Sequence, residues 1–245
     1  MRNLGLLMAG WLAGFGNRGT AAPPLATSGT DPFTVARQRM VTSQLVCAGR
    51  DITNARVLAA MCNVPRHEFV PPGMRGQAYD DRPLPIGHGQ TISQPFIVAF
   101  MTQELEPKPS DRVLEVGTGS GYQAAVLSGL VKEVYTIEIV EDLATQAAAD
   151  LARLGYTNVH VRAGDGYKGW PEAAPFDAVI VTCAPERLPQ ALVDQLKDGG
   201  RVIIPLGPLY KQELVLLRKR GGKLEQHAVL PVQFVPMTGE AQHQL

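Results

Sequence analysis

The sequence predicts an α/β fold: a doubly wound, mostly parallel, Rossmann-like sheet with an N-terminal helical segment. Three observations predict it. Short aliphatic runs alternate with helical stretches from Val113 onward, which is the pattern of a parallel sheet covered by crossover helices. A glycine-rich turn, Glu115-Val-Gly-Thr-Gly-Ser-Gly121, joins the first run to the first of those helices. Acidic residues stand at the ends of three successive strands: Glu115, Glu138 and, just beyond the third, Asp165.

The bulk composition sets the frame. The chain has 245 residues, 45% of them hydrophobic and 19% charged, enough for one sizeable core. Lys+Arg and Asp+Glu both total 23, so the formal net charge is zero. That balance argues against a nucleic-acid partner, which needs an excess of basic residues on one face. The local run Arg218-Lys219-Arg220 reads as a solvated turn between two late strands, because Gly221-Gly222 follows it. Cys47, Cys62 and Cys183 are too few and too irregularly spaced for a disulfide framework or a zinc site. Cys183 follows an apolar run and reads as a small buried hydrophobe. No metal is expected, and no long apolar patch or heptad is evident, so a monomer is expected.

Residues 1–30 read as a leader outside the fold. Leu4 to Phe15 form a short apolar stretch behind Arg2, with Thr20-Ala-Ala-Pro-Pro24 after it. The pattern is that of an export signal, and it is too short and glycine-rich for a membrane span. A disordered leader, or an upstream choice of start codon, is the alternative. Residues 31–245 then form one domain, with a helical, substrate-covering part at 31–110 and a cofactor-binding sheet at 111–245.

In chain order, residues 31–62 read as helical. Val35, Met40, Val41 and Leu45 fall at helical spacing, with Arg37, Gln38, Arg39, Thr42 and Ser43 between them. Asp51 is placed to cap a second helix carrying Val57, Leu58 and Met61, and Pro65 stops it. From Pro65 to Pro95, prolines and glycines punctuate a long irregular segment that still carries Phe69, Tyr79, Leu84 and Ile86. Such a segment inside a compact domain is usually functional or disordered, and these apolar residues argue against disorder. A helix follows Pro95 to about Glu106. Strands are expected at residues 113–116, 134–138, 159–161, 176–181 and 201–204, with helices at 122–130, 142–154 and 188–196. Residues 214–217 and 228–235 read as two closing strands. Gly199-Gly200 and Gly221-Gly222 read as tight turns.

The glycine spacing selects a cofactor. A dinucleotide loop reads G-x-G-x-x-G, which puts its third glycine at position 122, and Tyr122 stands there. The spacing here is G-x-G-x-G with an acidic residue two positions ahead, the pattern of class I methyltransferases. A pyrophosphate suits a helix N-terminus, whereas S-adenosyl-L-methionine brings a sulfonium and an ammonium. Glu115 at the strand end suits positive charge. Glu138 can accept from both ribose hydroxyls. In Gly164-Asp165-Gly166, Asp165 can accept from the adenine amino group while Gly166 leaves the base room. Gly117, Thr118, Gly119, Ser120 and Gly121 form the loop itself. Taken singly, each carboxylate is more commonly a helix cap or a turn residue. Their joint placement after three successive strands points to one cofactor site.

The acceptor is suggested by the irregular segment. Leu84-Pro-Ile-Gly-His-Gly-Gln-Thr-Ile-Ser-Gln-Pro95, with the glycine loop and Gly164-Asp165-Gly166, resembles the protein-L-isoaspartate O-methyltransferase family. Val64-Pro-Arg-His-Glu-Phe-Val70, Asp177-Ala-Val-Ile-Val-Thr182, Asp198-Gly-Gly-Arg-Val-Ile-Ile-Pro205 and Phe234-Val-Pro236 extend the resemblance over roughly residues 33 to 239. The resemblance implies methyl transfer to the free carboxylate of L-isoaspartyl residues in damaged proteins, which initiates their repair. It implies a cytoplasmic enzyme; export is the alternative if residues 1–22 act as a signal. It assigns the active-site serine to Ser93, read here as a hydrogen-bond donor to the acceptor carboxylate. Thr91, Ile92 and Gln94 flank it as substrate-binding residues. Ser93 could equally cap the helix that starts near Pro95. His88, between two glycines, is left out of the catalytic set.

The chemistry asks little of the protein. An ordinary carboxylate has a pKa of about 4, so the acceptor is already ionised at neutral pH and needs no strong base. The site must align one carboxylate oxygen with the methyl–sulfonium bond and exclude water. Rival readings are a class I methyltransferase acting on a small molecule or RNA, a binding module without chemistry, and a nicotinamide-dependent oxidoreductase, which Tyr122 disfavours.

Overall fold

The computed structural model describes residues 31–243. The leader expected at residues 1–30 lies outside the described residues. Helix α1 (Pro32–Met40) starts where Asp31 accepts hydrogen bonds from the backbone N–H groups of Phe33 and Thr34, with a proline in the first turn. It runs into a π-helical turn, Val41–Leu45. Helix α2 (Ala55–Asn63) is capped by Asn54, not by Asp51. Asp51 sits at φ +52°, a left-handed conformation that turns the chain before the helix begins. Asn54 Oδ1 accepts from Arg56 N at 3.0 Å and Val57 N at 3.3 Å. Asn54→Ala is therefore expected to cost about 1 kcal/mol of stability, read as a lower urea midpoint at unchanged slope.

The segment from Pro65 to Pro95 is ordered. Two 3-10 turns (Arg66–Phe69 and Pro72–Gln77) lead into a hairpin of β1 (Leu84–Gly87) and β2 (Gln90–Ile92). Its tip, Gly87-His88-Gly89, has φ values of +95°, +52° and +71°. Glycines on both sides of His88 make that run of left-handed residues accessible. Helix α3 (Pro95–Glu104) follows.

The main sheet has seven strands in the order β5-β4-β3-β6-β7-β8-β9. These are β3 (Arg112–Val116), β4 (Glu133–Glu138), β5 (Val159–Ala163), β6 (Phe176–Val181), β7 (Leu196–Leu206), β8 (Gln212–Arg220) and β9 (Lys223–Val232). The first five pair in parallel, and β8 and β9 close the sheet antiparallel. Helices α4 (Tyr122–Ser128), α5 (Glu141–Arg153) and α6 (Gln190–Asp194) make crossovers. The chain leaves β3 toward β4 on one side and returns to β6 on the other, so the switch point lies between β3 and β6. Side chains alternate across β3: Val113 joins one core cluster, and Leu114 and Val116 the other. Burial on both faces explains the near-continuous apolar runs of the central strands.

Three sequence expectations change. Helix α6 covers Gln190–Asp194 only, and β7 begins at Leu196. Gly199-Gly200 thus lies inside β7, beside an irregularity in its pairing with β6, rather than at a turn. Arg218-Lys219-Arg220 belongs to strand β8, not to a solvated turn. Lys219 Nζ donates to Val193 O and Leu196 O, at 2.9 and 2.8 Å, and so ties β8 to the end of α6. The turn itself is Gly221-Gly222, both at positive φ as a two-residue hairpin requires. Among the described residues, no helix is long and apolar enough to cross a membrane, and no cluster of metal-ligating side chains is found.

Candidate functional site

The site grows from the carboxyl end of β3 at the switch point, where open α/β sheets bind ligands. Gly117 turns there at φ +96°. The space that a Cβ would fill is taken by Thr182 Oγ1. Thr182 leaves the end of β6, and its hydroxyl donates to Gly117 O at 2.7 Å. One hydroxyl thus pins the glycine loop to the strand across the switch point. Gly119, at φ +52°, aims its N–H at Glu138 Oε2, 2.8 Å away. Gly121, at φ +86°, starts α4; a Cβ there would lie 3.1 Å from Leu151 Cδ1 on α5. The third glycine therefore serves close helix packing.

Glu138 ends β4 and is 5% exposed. Its second oxygen accepts from Val140 N at 3.0 Å. Each oxygen keeps a further lone pair for a ligand hydroxyl. Thr118 is buried with its hydroxyl 2.6 Å from Thr136 Oγ1. Glu115 lies beneath the loop, fully buried, and neither carboxylate oxygen has a hydrogen-bond partner. Burial pushes its pKa up to about 8, with the Thr136 hydroxyl opposing that rise and the Glu138 charge adding to it.

Two cavities meet at this point. One is a pocket of about 570 Å³, open in part to solvent and walled by Gly117, Gly119, Glu138, Gly166 and the C-terminal residues 235–238. The other is a groove of about 1230 Å³ walled by Ser93, Gln94, Ile97, Leu209 and Phe234. Thr91 and Thr182 line both. Between them lies a narrow cleft with Thr91, Ile92 and Ser93 on one side and Gly117, Thr118, Gly119 and Ser120 on the other. Every residue expected at the site except Glu115, Gly121 and Asp165 lines one of these spaces.

Asp165 holds loops together. Its Oδ1 accepts from Tyr167 N and its Oδ2 from Glu240 N, both at 2.9 Å. The second bond draws the C-terminal segment over the cavity, where the backbone bonds Ala184 N to Val235 O and Met237 N to Ala184 O also pin it. Gly166, the next residue, faces the cavity. Ser93 does not cap α3: Gln94 is the cap residue and makes no capping bond of its own. Instead Gln94 Nε2 donates to Asp81 Oδ1 at 2.9 Å. His88 lies at the hairpin tip, 3.7 Å from Asp142 and well exposed. Cys183 lines the pocket beside Glu138, and burial pushes its thiol up to about 12. It is a neutral wall residue at physiological pH, not a nucleophile.

Sequence reasoning missed Thr182, Leu209 and residues 235–238. Thr182 had a signal, since it follows the strand that neighbours β3 across the switch point. The C-terminal strap was marked only by the resemblance at Phe234-Val-Pro236, because its place over the site depends on Asp165 and Ala184, far away in sequence.

The chain was compared with known proteins. The family model described as protein-L-isoaspartate(D-aspartate) O-methyltransferase matches residues 37–242. A protein-L-isoaspartate O-methyltransferase of Opitutus terrae is 61% identical over 205 residues, covering 83% of this chain and 87% of that protein. Protein-L-isoaspartate O-methyltransferase 2 of Nitrosococcus oceani is 55% identical over 207 residues, covering 84% and 94%. Among solved structures, one from Plasmodium falciparum, described as a protein-L-isoaspartate O-methyltransferase in complex with S-adenosyl-L-homocysteine, superposes with a TM-score of 0.73. It is 26% identical and covers 82% of this chain and 98% of that one.

Proposed function

Because the chain belongs to the protein-L-isoaspartate(D-aspartate) O-methyltransferase family, we infer that it methylates L-isoaspartyl residues of damaged proteins and peptides. The methyl donor is S-adenosyl-L-methionine, and the acceptor is the free carboxylate of the isoaspartyl residue. The observation that carries the residue-level reading is the junction at Thr91 and Thr182, which line both the pocket beside Glu138 and the larger groove beside Ser93.

The residues fit such a donor. Glu138 keeps lone pairs free for the two ribose hydroxyls. Gly117 and Gly119 let the backbone approach closely, and a Cβ at Gly166 would run into Val116. Gly166 gives the adenine end its room, and Asp165 supports it through the loop and strap that it holds. Glu115, which burial keeps largely protonated at neutral pH, is drawn toward its charged form when the donor's sulfonium and ammonium arrive, and then opposes them with negative charge. When bound, the donor supplies an electrophilic methyl group whose departure leaves a neutral thioether.

The remaining work is done by this chain. Thr91 and Gln94 line the groove, Ile92 lines the narrow cleft beside it, and Ser93 donates a hydrogen bond that orients the acceptor carboxylate. The Ser93 hydroxyl makes no hydrogen bond to the described residues, so it is free to do so. Apolar walls from Ile97, Leu209 and Phe234 keep water from the anion. Ser93→Ala is expected to lower kcat on an isoaspartyl peptide by roughly 10-fold to 100-fold, the worth of one hydrogen bond to a charged group. Cofactor affinity should stay within roughly twofold, inside the usual scatter between independent sites. An equal loss of cofactor affinity would contradict the role given to Ser93.

The linkage formed tests the reaction class. A carboxyl methyl ester is base-labile and releases methanol, whereas a methyl group on nitrogen of a small molecule or RNA base is retained. Label that survives mild base would overturn the carboxyl-transfer reading. We further propose a cytoplasmic monomer that uses no nucleic acid, since the donor is made and held in the cytoplasm. N-terminal sequencing from the native host checks this: a start beyond residue 20 would favour export.

A further inference from the structure

Arg66 is fully buried and lies within 4.0 Å of no carboxylate among the described residues. Taking a guanidinium out of water costs several kcal/mol, and a buried cation normally has an anionic partner. Arg66 has two backbone carbonyls instead. Its Nε donates to Ala78 O and its Nη2 to Ser93 O, both at 2.7 Å. Nη1 has no partner. The guanidinium carbon sits 4.8 Å from the centre of the Tyr122 ring.

Those contacts join the two halves of the site. Ser93 belongs to the segment that floors the acceptor groove. Tyr122 is the first residue of α4, directly after the glycine loop, and is 1% exposed. Both line the narrow cleft between groove and loop. A planar fork bonded to one side and stacked on the other fixes their separation in a way a flexible ammonium cannot. Burial lowers the pKa of Arg66 only to about 10, so it is a cation at neutral pH. It therefore also places a positive charge behind the segment that meets an anionic acceptor.

We propose that Arg66 is a positioning residue for methyl transfer, acting through Ser93 by holding its backbone at a set distance from the glycine loop. The inference rests on the reading of Ser93 as the residue that touches the acceptor carboxylate.

The test is a double-substitution cycle on the full chain with an L-isoaspartyl peptide: wild type, R66K, S93A and R66K/S93A. Lysine keeps the charge and one donor but loses the fork. R66K is expected to lower kcat by roughly 10-fold to 100-fold, the scale of an ångström-sized misplacement, with cofactor affinity nearly unchanged. In the S93A background the same change should cost no more than about threefold, because coupled residues are not additive. Full multiplicative losses, an R66K enzyme with wild-type kcat, or an S93A enzyme with wild-type kcat would each overturn the proposal. If R66K and R66Q both lose near-ultraviolet circular dichroism and cofactor binding together, Arg66 serves the core alone and the proposal falls. A wild-type chain that leaves isoaspartyl peptide unmethylated would instead overturn the functional reading, and this inference with it.

Discussion

Replacing Glu138 with alanine is expected to weaken S-adenosyl-L-methionine binding by roughly 100-fold or more, since two ribose hydrogen bonds to a charged group, each worth about 1.5–3 kcal/mol, are lost and about 1.4 kcal/mol is tenfold in affinity. Two losses combine. The carboxylate organises the site before any ligand arrives: it holds Gly119 N and Val140 N, at 2.8 and 3.0 Å. Alanine leaves both donors without an acceptor, and the loop loses the bond that aims it. The remaining lone pairs, placed for the ribose, disappear with them. Glu138→Gln keeps the shape but turns one acceptor into a donor facing a backbone N–H, so it should fall near the alanine variant. Titration calorimetry with S-adenosyl-L-methionine reads the effect directly. An unchanged dissociation constant would remove Glu138 from the site.

Glu115→Gln is expected to stabilise the ligand-free protein while weakening cofactor binding. Burial raises the Glu115 pKa from 4.5 to about 8 in the folded chain. Between those values the unfolded chain has released its proton and the folded chain still holds it. Stability attributable to this residue therefore falls as pH rises from about 4.5 to about 8, and levels off above that. A shift of one unit corresponds to about 1.4 kcal/mol, so the penalty at pH 8 is on the order of a few kcal/mol. Glutamine has the same shape and does not titrate. Its advantage in urea unfolding should be largest near pH 8 and shrink toward pH 5. Cofactor binding should weaken by roughly tenfold or more, because glutamine cannot ionise in response to the ligand cations as Glu115 can. Opposite signs in one variant separate a functional buried charge from a packing residue. A stability difference that ignores pH would show that Glu115 does not titrate in this range.

Much of this was legible in the sequence because it is local. Strand–helix alternation, the positive-φ glycines and the acidic strand ends are set by neighbours within a few residues. Those features put the sheet strands, the turn after β3 and Glu138 at the end of β4 where the structure has them. Features that depend on distant partners were not legible. Asp51 reads as a cap by residue type, yet Asn54 sits where the helix begins and takes both N–H bonds. Leu84-Pro-Ile-Gly is too short and too proline-rich to announce a strand, so the hairpin that carries Thr91 appears only once β2 pairs with it. Lys219 looked solvated until α6 ended over it. The role of Asp165 depends on Glu240, 75 residues later. The depth of Glu115 follows from the two strands that flank β3.

The most direct measurement of the whole account is methyl transfer to two synthetic peptides of identical composition, one with an L-isoaspartyl linkage and one with the normal aspartyl linkage. With labelled S-adenosyl-L-methionine and the full chain, label should enter the isoaspartyl peptide as a base-labile ester and leave its twin essentially unlabelled. Equal labelling of both peptides, or of neither, would contradict the account.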